Sequence, residues 1–152
     1  MSIIAAADIY KRIYREIVVE ITRFDGAEED DTDNEILNTA IDAAIKEAKM
    51  YLSRFDLIAL FGDGETEPTI DDPLLKNICI DLAIWRLVLL GSPSISFEVN
   101  ETAYKSAIKS LEAIRSGNAV PEGWTYKDTT GETAAQGDAI TWSSNTKRQN
   151  HF

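Results

Sequence analysis

Residue types that carry much of protein chemistry are scarce in this chain of 152 residues. It has one cysteine, Cys79, and one histidine, His151, which lies next to the C-terminus. A single cysteine excludes an internal disulfide, and a single histidine excludes multi-histidine metal sites. The lone histidine also lies where a general base would be poorly held, and no P-loop or strand-anchored glycine-rich nucleotide motif is present. We therefore expect a protein that is not an enzyme and that has no catalytic residues, cofactor or metal.

Uninterrupted hydrophobic runs are also missing. The most apolar stretch, residues 71–91 (DDPLLKNICIDLAIWRLVLLG), contains Lys76, Asp81 and Arg86. Each of these charges would cost about 2.5–3.5 kcal/mol near the centre of a bilayer. The stretch therefore predicts a central helix of a soluble bundle and not a membrane span. Asp81 and Arg86 lie about 140° apart around such a helix, so each is expected to meet a partner on another helix or another subunit.

Positive charge is outnumbered, and the formal net charge is −11. The acids are concentrated in two segments without bases, since residues 25–35 hold seven acids and residues 63–72 hold five. Neither segment has the glycine that a calcium-binding EF-hand loop needs at its sixth position. A chain of this charge is repelled by phosphate backbones, and it has no basic run with interleaved aromatics. Sequence-specific binding to nucleic acid is therefore not expected.

The periodicity of apolar residues predicts an all-α fold, a bundle of about four helices within residues 1–117. Apolar residues recur every three or four positions in each predicted helix, and residues suited to helix caps flank several of them. Asp72 and Pro73 suit the start of the third helix, and Gly117 suits the end of the fourth. The predicted helices cover residues 5–23, a second from the capping-box sequence TDNE (32–35) to about 55, 72 to about 90, and about 98–116, with one short extra turn at 56–62.

The remaining residues, 118–152, form a polar and partly irregular C-terminal extension that cannot bury a core of its own. It nevertheless contains three large aromatics, Trp124, Tyr126 and Trp142. Aromatic side chains are frequent anchors of protein interfaces. The extension is therefore expected either to pack back on the bundle or to dock on a partner. Together with Asp81 and Arg86, these three aromatics are the predicted protein-interaction residues.

The order of helix patterns resembles that of the small Mu-like prophage proteins of unknown function that are grouped with phage head–tail connectors. The resemblance covers about residues 5–117, and the acidic segment 25–35 and the long polar tail depart from it. The matching positions are helix-packing residues: Ala44, Glu47, Tyr51 and Leu52, then Pro73, Leu75, Lys76, Ile78, Asp81, Leu82, Ala83 and Leu87, then Leu111, Ile114 and Gly117.

The resemblance implies a protein of virion morphogenesis, a non-catalytic adaptor between the portal and the tail that is assembled in the bacterial cytoplasm. It further implies self-association into a ring, with the portal or neighbouring connector and tail proteins as partners. The acidic segments would suit the lining of a DNA channel, because they repel phosphates. The alternative is a cytosolic helical interaction module of regulatory type, whose acidic loops meet a basic partner.

Overall fold

A computed structural model describes residues 3–22, 35–90 and 96–127 of the chain. Within these ranges the protein is helical, and β-structure is limited to one isolated bridge. The predicted all-α class is therefore confirmed. The helices are α1 Ala6–Tyr10, α2 Arg15–Thr22, α3 Glu35–Tyr51, α4 Leu57–Phe61, α5 Pro73–Val88 and α6 Phe97–Ser116.

Helix α5 is the centre of the bundle, as the apolar stretch 71–91 predicted. It packs mainly against α3 and α6 and also contacts α1 and α2. Leu75, Leu82 and Leu87 are fully buried. The cap is also as predicted, because the Asp72 carboxylate accepts hydrogen bonds from the amides of Leu74 (2.7 Å) and Leu75 (3.4 Å). A helix covered by neighbours on several sides needs apolar residues around most of its circumference, which explains why this stretch has no simple stripe.

The single first helix predicted over residues 5–23 is wrong, because the chain breaks between α1 and α2. Ile9 and Val18 are both completely buried. In one continuous helix, nine residues correspond to about 900°, so these side chains would point to opposite sides. The turn at residues 11–14 reorients the second segment, and both side chains then reach the core.

Two other helix ends follow local signals in the sequence. The short turn predicted at residues 56–62 is α4, where the Asp56 carboxylate caps the amides of Ile58 (3.0 Å) and Ala59 (3.1 Å). Helix α6 ends at Gly117, whose φ of 81° lies in the left-handed region. A residue without Cβ adopts this conformation at least cost. The predicted capping box at Thr32 lies outside the described residues.

The long helices alternate in direction, so the bundle has two distinct ends. The start of α3 lies beside the end of α5, since Ile36 and Leu90 line one groove. The start of α6 lies at the same end, where the rings of Trp85 and Phe97 are 5.0 Å apart. We call this the open end. The opposite end, where the chain after α6 returns to the residues that come after α3, is the closed end.

Candidate interaction site

An aromatic cluster lies at the closed end. Phe55, which is 1% exposed, lies against the edge of Trp124 with ring centroids 5.4 Å apart. On its other side it stacks on Tyr126 at 4.9 Å, with an angle of 17° between the ring planes. Trp124 is buried, whereas Tyr126 is 53% exposed. Two of the three predicted aromatic anchors are thus brought together, and both contact the bundle of their own chain.

Backbone and polar contacts hold this cluster in place. The Asp56 amide donates to the Thr125 carbonyl (2.9 Å), and the Lys127 amide donates to the Arg54 carbonyl (3.1 Å). The Trp124 indole N–H donates to the Asp72 carboxylate at 2.5 Å. Because Asp72 also caps α5, one carboxylate joins the C-terminal segment to the start of the central helix.

A guanidinium group covers the exposed side of the cluster. Arg54 lies over Phe55 at 5.2 Å and over Tyr126 at 5.5 Å. Its Nη1 also donates to the Arg115 carbonyl at the end of α6 (3.3 Å). Cation–π contacts of this kind contribute about 0.5–1 kcal/mol at exposed sites. The closed end therefore offers Tyr126 as its exposed aromatic, while Trp124 serves packing.

Asp81, the first charged residue predicted for contact, meets a partner from the N-terminal region. Arg12, in the turn between α1 and α2, approaches it with Nη2 3.1 Å from the Asp81 carboxylate. Burial raises the pKa of Asp81, and the nearby Arg12 charge opposes that increase only in part. Within the described residues, this aspartate is thus paired inside one chain.

Arg86, the second predicted charge, belongs to a separate network on the other side of α5. Its Nη2 donates to Glu47 at 2.8 Å, and the Tyr104 hydroxyl donates to the same carboxylate at 3.2 Å. The Arg86 Nε is buried and has no hydrogen-bond partner among the described residues. Asp81 and Arg86 thus have different partners within one chain, Arg12 in a turn and Glu47 on α3. Their predicted role in contacts with another protein stays a prediction. Lys76, the third charge of this stretch, pairs with Asp71.

One predicted interaction residue and the lone cysteine remain to be placed. Trp142 lies outside the described residues. Cys79 is buried, and desolvation raises its pKa to about 12. Across residues 3–22, 35–90 and 96–127, no group of three or more His, Cys, Asp or Glu side chains is arranged to hold a metal ion.

The family of this chain follows from sequence similarity and not from its geometry. The model of a family described as bacteriophage Mu, Gp36 matches residues 4–139. The chain belongs to the bacteriophage Mu Gp36 family. No curated protein and no solved structure gives a significant match. Membership of this family indicates a phage structural or morphogenesis protein that is associated with the virion.

The structure also places exposed apolar residues that the sequence did not single out in this Gp36-family protein. Leu89, Leu90, Phe97 and Val99 are 51–66% exposed at the open end. The sequence signal for them is weak, because Leu89 and Leu90 continue the apolar run of α5. No helix in the part of the chain that the structure describes is long and apolar enough to cross a membrane.

A groove at the same end has Leu90 in its wall. It has a volume of about 330 Å³ and runs between the first half of α3 and the end of α5. Its walls combine apolar side chains with one acid and one base: Ile36, Thr39, Ala40, Ala43, Leu90, Glu35 and Arg86. The open end of this Gp36-family member thus has the apolar surface and concave shape of a protein-interaction site.

Proposed function

We propose that this protein is a head–tail connector adaptor, a non-catalytic structural component that joins the portal to the tail of a phage particle. The observation that carries the proposal is the match to the phage Mu Gp36 family over residues 4–139. Contacts with other virion proteins are expected of a family member with this role. The exposed apolar residues of the open end supply a surface for them.

The proposal includes self-association into a ring on assembly. A ring forms when one surface of a subunit binds a different surface of the next and the rotation closes. The two ends of this bundle differ in the way that such a head-to-tail contact requires. The closed end presents Tyr126 and Arg54, and the open end presents Leu89 and Phe97.

The charge of the chain agrees with a position around a DNA channel. Asp63, Glu65 and Glu67 are all exposed in the segment between α4 and α5. A channel lined by acids repels the phosphates of the duplex, which lets the DNA slide and not bind. The proposal therefore assigns this segment to the side of the ring that faces DNA.

Native mass spectrometry of the protein alone and mixed with its cognate portal tests the proposal. A connector adaptor should form a stoichiometric complex with the portal, and higher oligomers should appear only on that complex or at high concentration. A chain that ignores the portal, and instead binds a basic regulatory partner of the host, would contradict the connector role and favour the alternative. Flanking genes for capsid, portal and tail proteins would also be expected.

A further inference from the structure

Two short extended segments, residues 54–56 and 124–127, pair at the closed end, and we call them the ribbon. An isolated antiparallel bridge joins Phe55 to Tyr126. The two hydrogen bonds of the ribbon join the residues on either side of this pair, Asp56 with Thr125 and Lys127 with Arg54. In this pattern the amide and carbonyl of the central residue point away from the partner strand. Tyr126 therefore directs its backbone N–H and C=O outwards.

The outward edge of the ribbon at Tyr126 is open. Neither its amide nor its carbonyl has a hydrogen-bond partner within residues 3–22, 35–90 and 96–127, and the residue is 53% exposed. An unpaired strand edge is a template for an extended segment of another chain. One residue of such a segment can accept from the Tyr126 amide and donate to its carbonyl.

Three bases lie beside this edge. Lys127 is directly opposite Arg54 across the ribbon, and the Arg54 guanidinium reaches the Arg115 carbonyl at the end of α6. All three side chains belong to exposed residues. The end of a helix favours one such charge, but like charges directly opposite each other destabilise a pair of strands. An anion bound between them would offset this repulsion.

The described part of the chain does not supply that anion to the two arginines. No carboxylate there forms an ion pair with Arg54 or Arg115, and the nearby Asp56 carboxylate caps α4. The exposed acidic residues 63–67 are not extended, because Asp63 holds them in a turn by accepting from the amides of Glu65 and Thr66. The anion is therefore expected from another protein.

The shape and charge of the surface favour a peptide over a nucleic acid. The net charge of −11 repels a duplex, and nucleic acid has no peptide groups to pair with Tyr126. Side chains alternate along an extended segment. A residue paired with Tyr126 would place its side chain on the side of the tyrosine ring, and both its neighbours on the side of Lys127. The pattern that fits is therefore acidic, apolar, acidic.

We infer that the ribbon binds an extended acidic segment of another protein. The central apolar residue of that segment pairs with the backbone of Tyr126, and its flanking acids neutralise Arg54, Arg115 and Lys127. The inference goes beyond the connector role and stands without it, because it concerns one surface of the single chain.

An NMR titration of the isotope-labelled full-length protein tests the inference. The probe is the peptide acetyl-EVEVE-amide, whose valines can pair with Tyr126 while its glutamates reach the bases. Binding should shift the amide resonances of residues 54–56 and 124–127 more than those of the rest of the chain. Because the paired edge is short, saturation is expected at millimolar peptide.

Two control peptides separate the backbone contact from the charge contact. EVEVE with N-methylated valines keeps the charge, but its valines cannot donate to the Tyr126 carbonyl. KVKVK keeps the backbone and reverses the charge. Each should bind about threefold or more weakly than EVEVE, as expected for the loss of a hydrogen bond or of exposed ion pairs.

Matched variants locate the charge contact on the protein. Arg115→Gln with Lys127→Gln should weaken EVEVE binding about threefold or more, and Arg54 is kept because it covers Phe55 and Tyr126. Lys46→Gln with Lys109→Gln removes two exposed bases elsewhere and should leave binding unchanged. Circular dichroism checks the fold of every variant.

Several outcomes would overturn the inference. They are equal affinity for the three peptides, equal effects of the two double variants, shifts centred elsewhere, or no shift up to about 5 mM peptide. A short DNA duplex that shifts the same resonances more strongly at the same salt concentration would assign the ribbon to nucleic acid instead. Self-association lost only in the Arg115→Gln, Lys127→Gln protein would assign it to contacts between copies. Portal binding is measured separately, so either proposal can fail alone.

Discussion

Each end of the bundle has a phenylalanine in contact with a tryptophan, but the two phenylalanines differ in their exposure to solvent. At the closed end, Phe55 is 1% exposed between two aromatic rings. At the open end, Phe97 contacts Trp85 on one side and is 51% exposed. The two rings differ because residues 124–127 return over the closed end and cover Phe55, whereas no described segment covers Phe97. The presence of aromatic residues at an end therefore does not by itself indicate whether they stabilise the fold or are free to bind another protein.

Replacing the central ring of each end should give the largest contrast. Phe55→Ala removes a buried ring and is expected to lower the free energy of unfolding by about 3–5 kcal/mol. The matched variant Phe97→Ala removes a half-exposed ring and should cost only about 1 kcal/mol. Urea unfolding followed by circular dichroism measures both. Similar losses would contradict the assignment of Phe55 to a buried site and of Phe97 to an exposed one.

The polar network beneath the open end should come next. Glu47 accepts from both Arg86 and Tyr104, so Glu47→Gln weakens two hydrogen bonds at a half-buried site and should cost about 1–2 kcal/mol. Glu101→Gln is the control, because its i,i+4 pair with Lys105 is exposed and should contribute about 0.3–0.5 kcal/mol. Equal effects in urea unfolding would mean that the network adds no more than a surface ion pair.

The polar contact that ties the closed end to α5 should have a slightly smaller effect. Trp124→Phe keeps an aromatic ring but removes the indole N–H that donates to Asp72, with an expected loss of about 1–1.5 kcal/mol. Tyr126→Phe removes an exposed hydroxyl and should change stability by less than about 0.5 kcal/mol. Thermal unfolding of the two variants makes the comparison. A Trp124→Phe protein as stable as the wild type would show that packing alone holds residues 124–127 at this end.

Two aspartates, Asp81 and Asp8, should make the stability of the protein depend on pH in opposite directions. Burial raises the pKa of Asp81 above its ordinary 3.8, so its folded form holds a proton more tightly than the unfolded chain. Its contribution to stability is full below pH 3.8 and is lost as the pH rises through the raised pKa. Relative to Asp81→Asn, the wild type should therefore lose melting temperature as the pH rises from about 3 to 7.

Asp8 should behave in the opposite way. Its hydrogen bond with Lys11 lowers the pKa of its carboxyl from 3.8, so the stability it provides is present above pH 3.8 and is lost as the pH falls through the lowered pKa. Melting temperatures of Asp8→Asn and Asp81→Asn over the same pH series give the test. If the difference in melting temperature between wild type and variant changed with pH in the same direction for both aspartates, the environment assigned to one of them would be wrong.

Much of the helical framework could be predicted from local signals. Asp72, Pro73 and Gly117 mark helix ends through backbone rules that do not depend on distant neighbours. The break between α1 and α2 could not be found this way. It depends on whether Ile9 and Val18 must face one core, and that is decided by the packing of α5.

The candidate site was predictable only in part, for a physical reason. The aromatics of the tail stood out by composition, but burial in one chain and docking on another chain use the same residues, so the sequence left both open. The partners of Asp81 and Arg86 are 69 and 39 residues away along the chain, beyond the range of any helix pattern. Leu89 and Leu90 continue an apolar run, and only the end of the helix leaves them exposed.

The position of the tryptophans has an optical consequence. Trp124 is buried and hydrogen-bonded at the closed end, while Trp85 is half-buried beside Phe97 near the open end. Indole emission shifts to longer wavelength as water reaches the ring. Variants that keep only Trp124 or only Trp85 would therefore report on the closed or the open end through their emission wavelength. No attached dye would be needed to follow each end while the particle assembles.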